Sequence, residues 1–411
     1  LCRSNFFSLQ HTTLLTNQLY FWHESDQTDL DGDGLPDIVT TSAKTQRPDN
    51  PLGSPDGGEE MRVEWYRNNG SSNAAAMFDY YEITASDANG NNVDNMGGVF
   101  IKLHDIDGDG DMDVVLASAF SLGNSTEGGL IHWLENPGDP VQNQEWTMHY
   151  IDEVPTTHRI KWADVTGDGQ EELINVPIIG YGATAPDYAV NLPIKAYQIP
   201  RTLNVERWPG LVLDQTLQLA HGMQILDWDD DGRSDILTAS FGGVHLYQLA
   251  RNGVSVSKRQ LVSGKQDAER PEIGASEVDV GSLGNGANAP VFIATVEPWH
   301  GNEVVVYTES EGALWAREVI DDDLANGHGL LTADLNNDGV DEIIAGGRSE
   351  PYQLAIFRRD SGGSWGRIAL DDGNIAISGL AVEDLNGDGF LDIVGIGAGT
   401  RNVVYYQNSG L

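Results

Sequence analysis

A short acidic motif returns six times along the chain. Its first copy places Asp29, Asp31, Asp33 and Asp37 at positions one, three, five and nine, with glycines between them. The same positions hold Asp105, Asp107, Asp109 and Asp113, then Asp164, Thr166, Asp168 and Glu172, then Asp227, Asp229, Asp231 and Asp235. Later copies are Asp334, Asn336, Asp338 and Glu342, and Asp384, Asn386, Asp388 and Asp392. A degenerate copy that has lost its acidic ligands is expected between the fourth and these last two, starting at Asp279. Successive starts lie 50 to 76 residues apart, which suits one small supersecondary unit per copy. Length alone, 411 residues, would suggest two or three domains, and the repeat overrides that expectation.

The surroundings of each copy repeat as well. A short strand precedes it (HRIKWAD, HGMQILD, HGLLTAD), and an apolar, β-branched strand follows it (DIVTTSA, DVVLASA, DILTASF, EIIAGGR, DIVGIGA). An alternating third strand comes next (VEWYRN, IHWLEN, VHLYQL, NVVYYQN), and most copies have a fourth (WTMHYID, VSKRQLV, LWAREVI, WGRIALD). Four strands in each of seven units predict an all-β fold, a seven-bladed β-propeller, as a single domain over residues 1–411. The blades are expected to start near 19, 97, 156, 219, 272, 326 and 376. The seventh unit stops after its third strand, so residues 5–14 are expected to supply the missing one: the last blade is closed by the N-terminal strand, which removes exposed sheet edges.

Charge narrows the partners. The chain has 63 acidic and 23 basic residues, a net charge of −40, which argues against nucleic acid and anionic membrane. No apolar run is long enough to span a bilayer. Cys2 is the single cysteine, so no internal disulfide forms. The N-terminal LCRSNFFSLQ has no apolar signal-peptide core; a secreted, extracellular protein, which is the expectation here, would be in its mature form.

Hard oxygens at positions one, three, five and nine of a glycine-rich turn suit calcium, which takes six to eight oxygen ligands. Each ion would pin the turn between the first two strands of its blade and relieve the repulsion among crowded carboxylates. Thr166 makes the third loop the weakest.

These loops resemble the FG-GAP or VCBS repeats of integrin-type propellers, which implies fold and calcium. Four segments carry a narrower resemblance: THRIKWADV at 157–165, HGMQILDWD at 221–229, EPWHGNEVVVY at 297–307 and GHGLLTADL at 327–335. Together they resemble the propeller of aldos-2-ulose dehydratases and of rhamnosyl-glucuronate lyases. That resemblance implies carbon–oxygen bond cleavage by elimination on a carbohydrate. The chain is too short to contain the additional cupin domains of the fungal dehydratases.

The histidines share a register. His23, His158, His221 and His328 each stand six positions before the first Asp of their copy, where Val99, Ile273 and Ser378 stand in the others. Six residues of strand cover about 20 Å, so these histidines are expected at the far end of the innermost strands, opposite the acidic loops and near the axis. His300, in the link between second and third strands of the fifth unit, returns to that face. The long insertions of the first and third units would wall a pocket there. Lys44, Arg47, Arg159, Lys195, Arg270, Arg348 and Arg401 map to the same face and suggest an anionic ligand such as a uronate.

The first reading is therefore a carbon–oxygen lyase that cleaves a carbohydrate, a uronate-containing oligo- or polysaccharide, by β-elimination. A base is drawn from His158, His221, His300 and His328; another His or Tyr188 is the acid. Arg159, with Arg348 or Arg401, would hold the carboxylate, and Trp299 and Glu303 would contact the sugar. Converging histidines could also bind a transition metal such as Zn2+. The alternatives are a sugar dehydratase of the aldos-2-ulose or anhydrofructose type, and a non-catalytic lectin or adhesion propeller.

Overall fold

The computed structural model describes residues 9–16, 20–44, 60–87, 89–93, 98–119, 122–250, 256–286, 289–312 and 314–410. These residues form an all-β molecule; the one helical piece among them is a single 3₁₀ turn, Ala74–Ala76. No helix among them is long and apolar enough to cross a membrane.

The strands assemble into β-propeller sheets in which chain order is spatial order. The third repeat, for example, runs Thr157–Ala163, Glu172–Pro177, Leu192–Tyr197 and Gly210–Leu217, each strand antiparallel to the last. The fourth, fifth and sixth repeats likewise form separate four-stranded sheets. The first and second share one nine-stranded sheet, because the fourth strand of the second, Glu145–Glu153, pairs in parallel with that of the first, Phe78–Asp87. In the seventh repeat, Ile377–Glu383, Asp392–Gly397 and Asn402–Asn408 are joined by Leu9–Thr16, which lies antiparallel to Asn402–Asn408. Residues 5–8 of the segment expected there lie outside the described residues.

First strands neighbour one another from repeat to repeat, and that of the seventh contacts that of the first, Tyr20–Thr28. Burial grades outward from this inner ring. All six residues of the second strands Asp113–Ser118, Glu172–Pro177, Asp235–Ser240, Glu342–Gly347 and Asp392–Gly397 are buried. Sheets pack on both of their faces, which is why these segments are continuous β-branched runs rather than alternating ones. The fourth strands are solvent-washed; four of the seven residues of Val256–Val262 are exposed. Each apolar cluster is shared by adjacent sheets. One joins Trp65 of the first repeat to Leu116 and Trp146 of the second, and another joins Ile344 of the sixth to Tyr406 of the seventh.

The fifth repeat departs from expectation. Its first strand is Glu277–Ser282 and Ser282 pairs with Val291, just as Leu226 pairs with Asp235 in the fourth repeat. The counterpart of Asp227 is therefore Leu283, not Asp279, and counting back six (283 − 6 = 277) puts Glu277, not Ile273, at the histidine register. Asp279 lies inside the strand, where its carboxylate accepts bonds from Gln224 Nε2 at 2.6 Å and Thr332 N at 2.8 Å. This repeat has no acidic loop, and Asp279 is a strand residue that resembles a loop ligand only by its spacing from the neighbouring copies.

Candidate active site

His158, His221 and His328 are each the second residue of a first strand, and each is skipped by the strand pairing. The register shifts between Thr157 and Arg159, between Ala220 and Met223, and between Gly327 and Gly329. A bulge bends the strand and re-aims the extra side chain, here toward the shared axis. Glycine follows two of these histidines. A Cβ on Gly222 would lie 2.8 Å from the Ser276 carbonyl oxygen, so glycine lets the fourth and fifth inner strands close up and brings His221 against Glu277. His300 reaches the same point from the link after Val291–Glu297, with its backbone at φ 49°, a conformation that costs energy in a non-glycine residue.

The four imidazoles meet. Ring centroids lie 4.8 Å apart for His158 and His221, 4.8 Å for His221 and His300, 4.9 Å for His221 and His328, and 5.2 Å for His300 and His328. Their partners define the tautomers. Arg348 Nη2 can only donate, and it stands 3.1 Å from His300 Nδ1, so the His300 proton is on Nε2. That proton points at His221 Nε2, 3.2 Å away. The His221 proton is then on Nδ1, 2.6 Å from Glu277 Oε1. His328 Nδ1 donates to the Ser378 carbonyl at 2.7 Å, leaving its Nε2 as a lone pair toward the cluster. Burial, then the nearby guanidiniums, holds His221 and His328 well below the ordinary histidine value; burial, Arg348 and His221 do the same to His300. Burial thus keeps His221, His300 and His328 neutral, and the His328 Nε2 lone pair is left as an acceptor facing the cluster.

Two arginines frame it differently. Arg159 Nη2 bonds Glu277 Oε1 at 2.5 Å, Nε bonds the His221 carbonyl at 2.8 Å, and the guanidinium lies over the Phe100 ring. It is built into the wall rather than presented to a ligand. Arg348 has no ion pair among the described residues, and burial pulls its guanidinium down to about 10. Glu277, whose carboxyl is pushed up by burial and pulled back by Arg159, was missed in the sequence. Counting the register from the second strand rather than from an aspartate would have found it.

Tyr188 and Trp299 join the edge. Trp299 lies 4.6 Å from His300 and Tyr188 packs edge-on to Trp299 at 5.7 Å; burial raises the Tyr188 phenol, which stays protonated. Trp299 Nε1 is buried without a hydrogen-bond partner. Glu303 does not join them: it is tied to Lys265 at 2.6 Å and to Arg317. Lys195 is held by Asp152 and Arg270 by Gln218, so neither is aimed at the imidazoles. Arg401 occupies the turn before Asn402–Asn408, with φ 57°. The side chains of His23 and Lys44, and all of Arg47, lie outside the described residues. A cavity of about 230 Å³ runs along the axis beneath the cluster, lined by Arg159, Lys161, Gln224, Glu277 and His328.

Nitrogens of His221, His300 and His328 lie within 4.8 Å of one another. His221 and His328 suit a zinc ion, since each has an outer partner on Nδ1 and turns its Nε2 lone pair inward, although that of His221 faces the His300 Nε2 proton. His300 joins them only if Arg348 releases its Nδ1.

At the opposite ends of the first strands the acidic loops share one conformation. The first aspartate caps the turn: Asp227 accepts from Asp231 N and Gly232 N, and Asp384 from Asp388 N and Gly389 N. The ninth residue accepts the amide of the second, as in Asp37 with Leu30 and Asp113 with Ile106. Burial raises these ninth-position carboxyls, to about 7 in Asp37 and Asp113, about 6 in Asp235 and Asp392, and about 8 in Glu342. Ligand oxygens converge within 4.8 Å in Asp29, Asp31 and Asp33, in Asp105, Asp107 and Asp113, and in Asp227, Asp229 and Asp235. Asp31 Oδ1 is buried without a partner. These oxygens fit a hard cation. Arg67 partly neutralises the first loop through Asp31 and Asp33, and Arg233 the fourth through Asp231.

Residues 128–310 match the β-propeller domain of aldos-2-ulose dehydratases, and residues 334–395 match an FG-GAP-like repeat. The aldos-2-ulose dehydratase of Phanerodontia chrysosporium is 30% identical over 267 residues, 58% of this chain; the match spans only 28% of that protein's length. A lectin of Agrocybe aegerita that recognises non-reducing terminal N-acetylglucosamine is 14% identical with a TM-score of 0.48, over 99% of this chain and 87% of its own. The rhamnogalacturonan lyase YesW is 13% identical with a TM-score of 0.49, over 95% of this chain and 72% of its own. The chain thus resembles the aldos-2-ulose dehydratase propeller that its histidine segments suggest.

Proposed function

We propose that the chain is a carbon–oxygen lyase that acts on a uronate-containing carbohydrate by β-elimination. The observation that carries this reading is Arg348: a desolvated guanidinium that makes no contact ion pair among the described residues, offset only through space by Glu277, a carboxylate already bonded to Arg159, and set beside neutral imidazoles. Such a cation calls for an anion from the ligand, and a uronate carboxylate fits it in a bidentate fork. Bound there, the carboxylate places its neighbouring C–H bond beside the His328 Nε2 lone pair. His328 takes the proton; the electron pair left behind becomes the new C=C bond; the bond from the next carbon to oxygen breaks. Tyr188, held protonated by burial, supplies the proton to the departing oxygen. Arg348 stabilises the charge that develops on the carboxylate. A zinc ion held by His221, His300 and His328 would supply a Lewis acid for that same charge; His328 Nε2 would then be a ligand, and the proton would have to go to His158 instead.

A second reading, a dehydratase of 2-keto sugars, is favoured by the match over residues 128–310, which contains His158, Tyr188, His221, Glu277 and His300. The elimination is the same, with a ketone in place of the carboxylate. Incubation with uronate polysaccharides and with 2-keto sugars separates the two: the first forms an unsaturated uronate and the second an enone. Sugar binding without either product would support a lectin instead.

We further propose seven blades closed by the N-terminal strand. Supporting this are the seven mutually contacting first strands and the pairing of Leu9–Thr16 with Asn402–Asn408. The acidic loops are proposed calcium sites with a structural role, and the protein is proposed to act outside the cell, where calcium is plentiful.

A further inference from the structure

We infer that the molecule carries a second carbohydrate site, for a neutral pyranose, on the acidic-loop face between the fourth and fifth repeats. A cavity of about 550 Å³ opens there, within the range of roughly 300–1,000 Å³ usual for small-ligand sites. It begins where the first strand Ala220–Leu226 ends, whereas His221 stands at that strand's start, so it is separate from the imidazole cluster.

Two departures from the repeat create it. The second position of the acidic loop is a buried aliphatic residue in the other five copies, Leu30, Ile106, Val165, Leu335 and Leu385, at 1–4% exposure. In the fourth copy it is Trp228, half-buried and turned toward the fifth repeat. The fifth repeat, in turn, has no acidic loop: Leu283 stands where the first aspartate would be, and the cavity fills the space beside it. Trp228 still packs one side against the apolar cluster of the fourth and fifth repeats, but smaller aliphatic groups close the same position in the other copies, so the fold does not require an indole there.

Trp228 meets Trp315 with ring centroids 5.7 Å apart and planes at 52°, forming an open corner of two indoles. The axial C–H groups of a pyranose pack well on indole faces, while its hydroxyls need donors and acceptors at the rim. Asp230 and Glu309 supply the acceptors, and the exposed Arg259, 6.0 Å from the Trp228 ring, the donors. Three carboxylates line the cavity, Asp227, Asp230 and Glu309, against the one guanidinium of Arg259, which disfavours an acidic sugar there and favours a neutral one. An all-equatorial β-glucosyl unit presents the flattest C–H face. This site would anchor a neutral stretch of a long glycan while the histidine face works elsewhere on the chain.

Cellohexaose is the probe, with binding read by tryptophan fluorescence and by calorimetry, independently of any turnover. Wild-type protein is expected to bind it, and Trp228→Leu, which installs the residue type of the other loops and so preserves the fold, is expected to weaken binding at least tenfold. His300→Ala is expected to bind as wild type does. Absence of binding by the wild type, unchanged affinity in Trp228→Leu, or loss of binding in His300→Ala would each overturn the inference.

Discussion

Glu277→Gln tests how the site is held together. The Glu277 carboxylate accepts bonds from His221 Nδ1 at 2.6 Å and Arg159 Nη2 at 2.5 Å, in a position only 8% exposed. Both donors meet the same oxygen, Oε1, so glutamine fills the same space and can still accept from both, but it carries no charge to balance Arg159. Removing one partner of a buried ion pair costs about 3–5 kcal/mol. An unfolding entropy of about 2.1 cal/mol/K per residue, over 411 residues, gives about 0.86 kcal/mol/K. The unfolding midpoint should therefore fall by about 4–6 °C. The His221 ring also keeps only a neutral acceptor where a carboxylate oriented it, so turnover should fall by about 10–100-fold, the usual effect of mutating such an outer partner. Differential scanning calorimetry and a rate assay on the same preparation read both. A midpoint within about 1 °C of wild type together with unchanged turnover would show that Glu277 does not organise the cluster, and would refute the reasoning from the shared register.

Arg348→Met should leave the midpoint unchanged or raise it, because it removes a buried cation that makes no contact ion pair among the described residues, yet abolish turnover of an acidic substrate; a large drop in stability would show that Glu277 serves the guanidinium as a structural anion instead. Excess chelator should lower the midpoint, since each calcium site occupied at a hundred times its Kd contributes about 2.7 kcal/mol; an unchanged midpoint with metal loss verified by elemental analysis would count against calcium. Deleting residues 1–16 should lower the midpoint by about 5 °C or more and promote aggregation, because it uncovers Asn402–Asn408, whose residues Val403 to Tyr406 are buried. Full solubility and stability after that deletion would mean the last sheet does not depend on its N-terminal strand.

Much of this was legible in the sequence for a simple reason: a repeat states the same structural rule several times. The acidic loops mark where first strand turns into second, and the β-branched runs after them mark strands packed on both faces. The histidine register was legible by the same counting. So was their place near the axis; the bulges that re-aim His158, His221 and His328 were not, because a bulge leaves no mark in composition. Glu277 was hidden because the fifth repeat lost the aspartates that served as the ruler; only the pairing of Ser282 with Val291 restores the count. The different parts taken by Arg159 and Arg348 were equally out of reach: both lie near the axis, and only the three-dimensional arrangement shows that one faces a carboxylate and the other faces an imidazole. Glu303, Lys195 and Arg270 were drawn toward the site by topology alone, while in the structure nearby acidic or amide groups hold them.

The central claim is that the imidazoles and Arg348 perform an elimination on a sugar. The most direct measurement follows the ultraviolet band of a newly formed C=C bond, with wild-type protein and His328→Ala on a panel of uronate polysaccharides and 2-keto sugars. The account predicts that the band grows with the wild type on a uronate substrate and that His328→Ala slows it by at least about a hundredfold, the usual contribution of a positioned base. No band on any substrate, or an undiminished rate in His328→Ala, would contradict it.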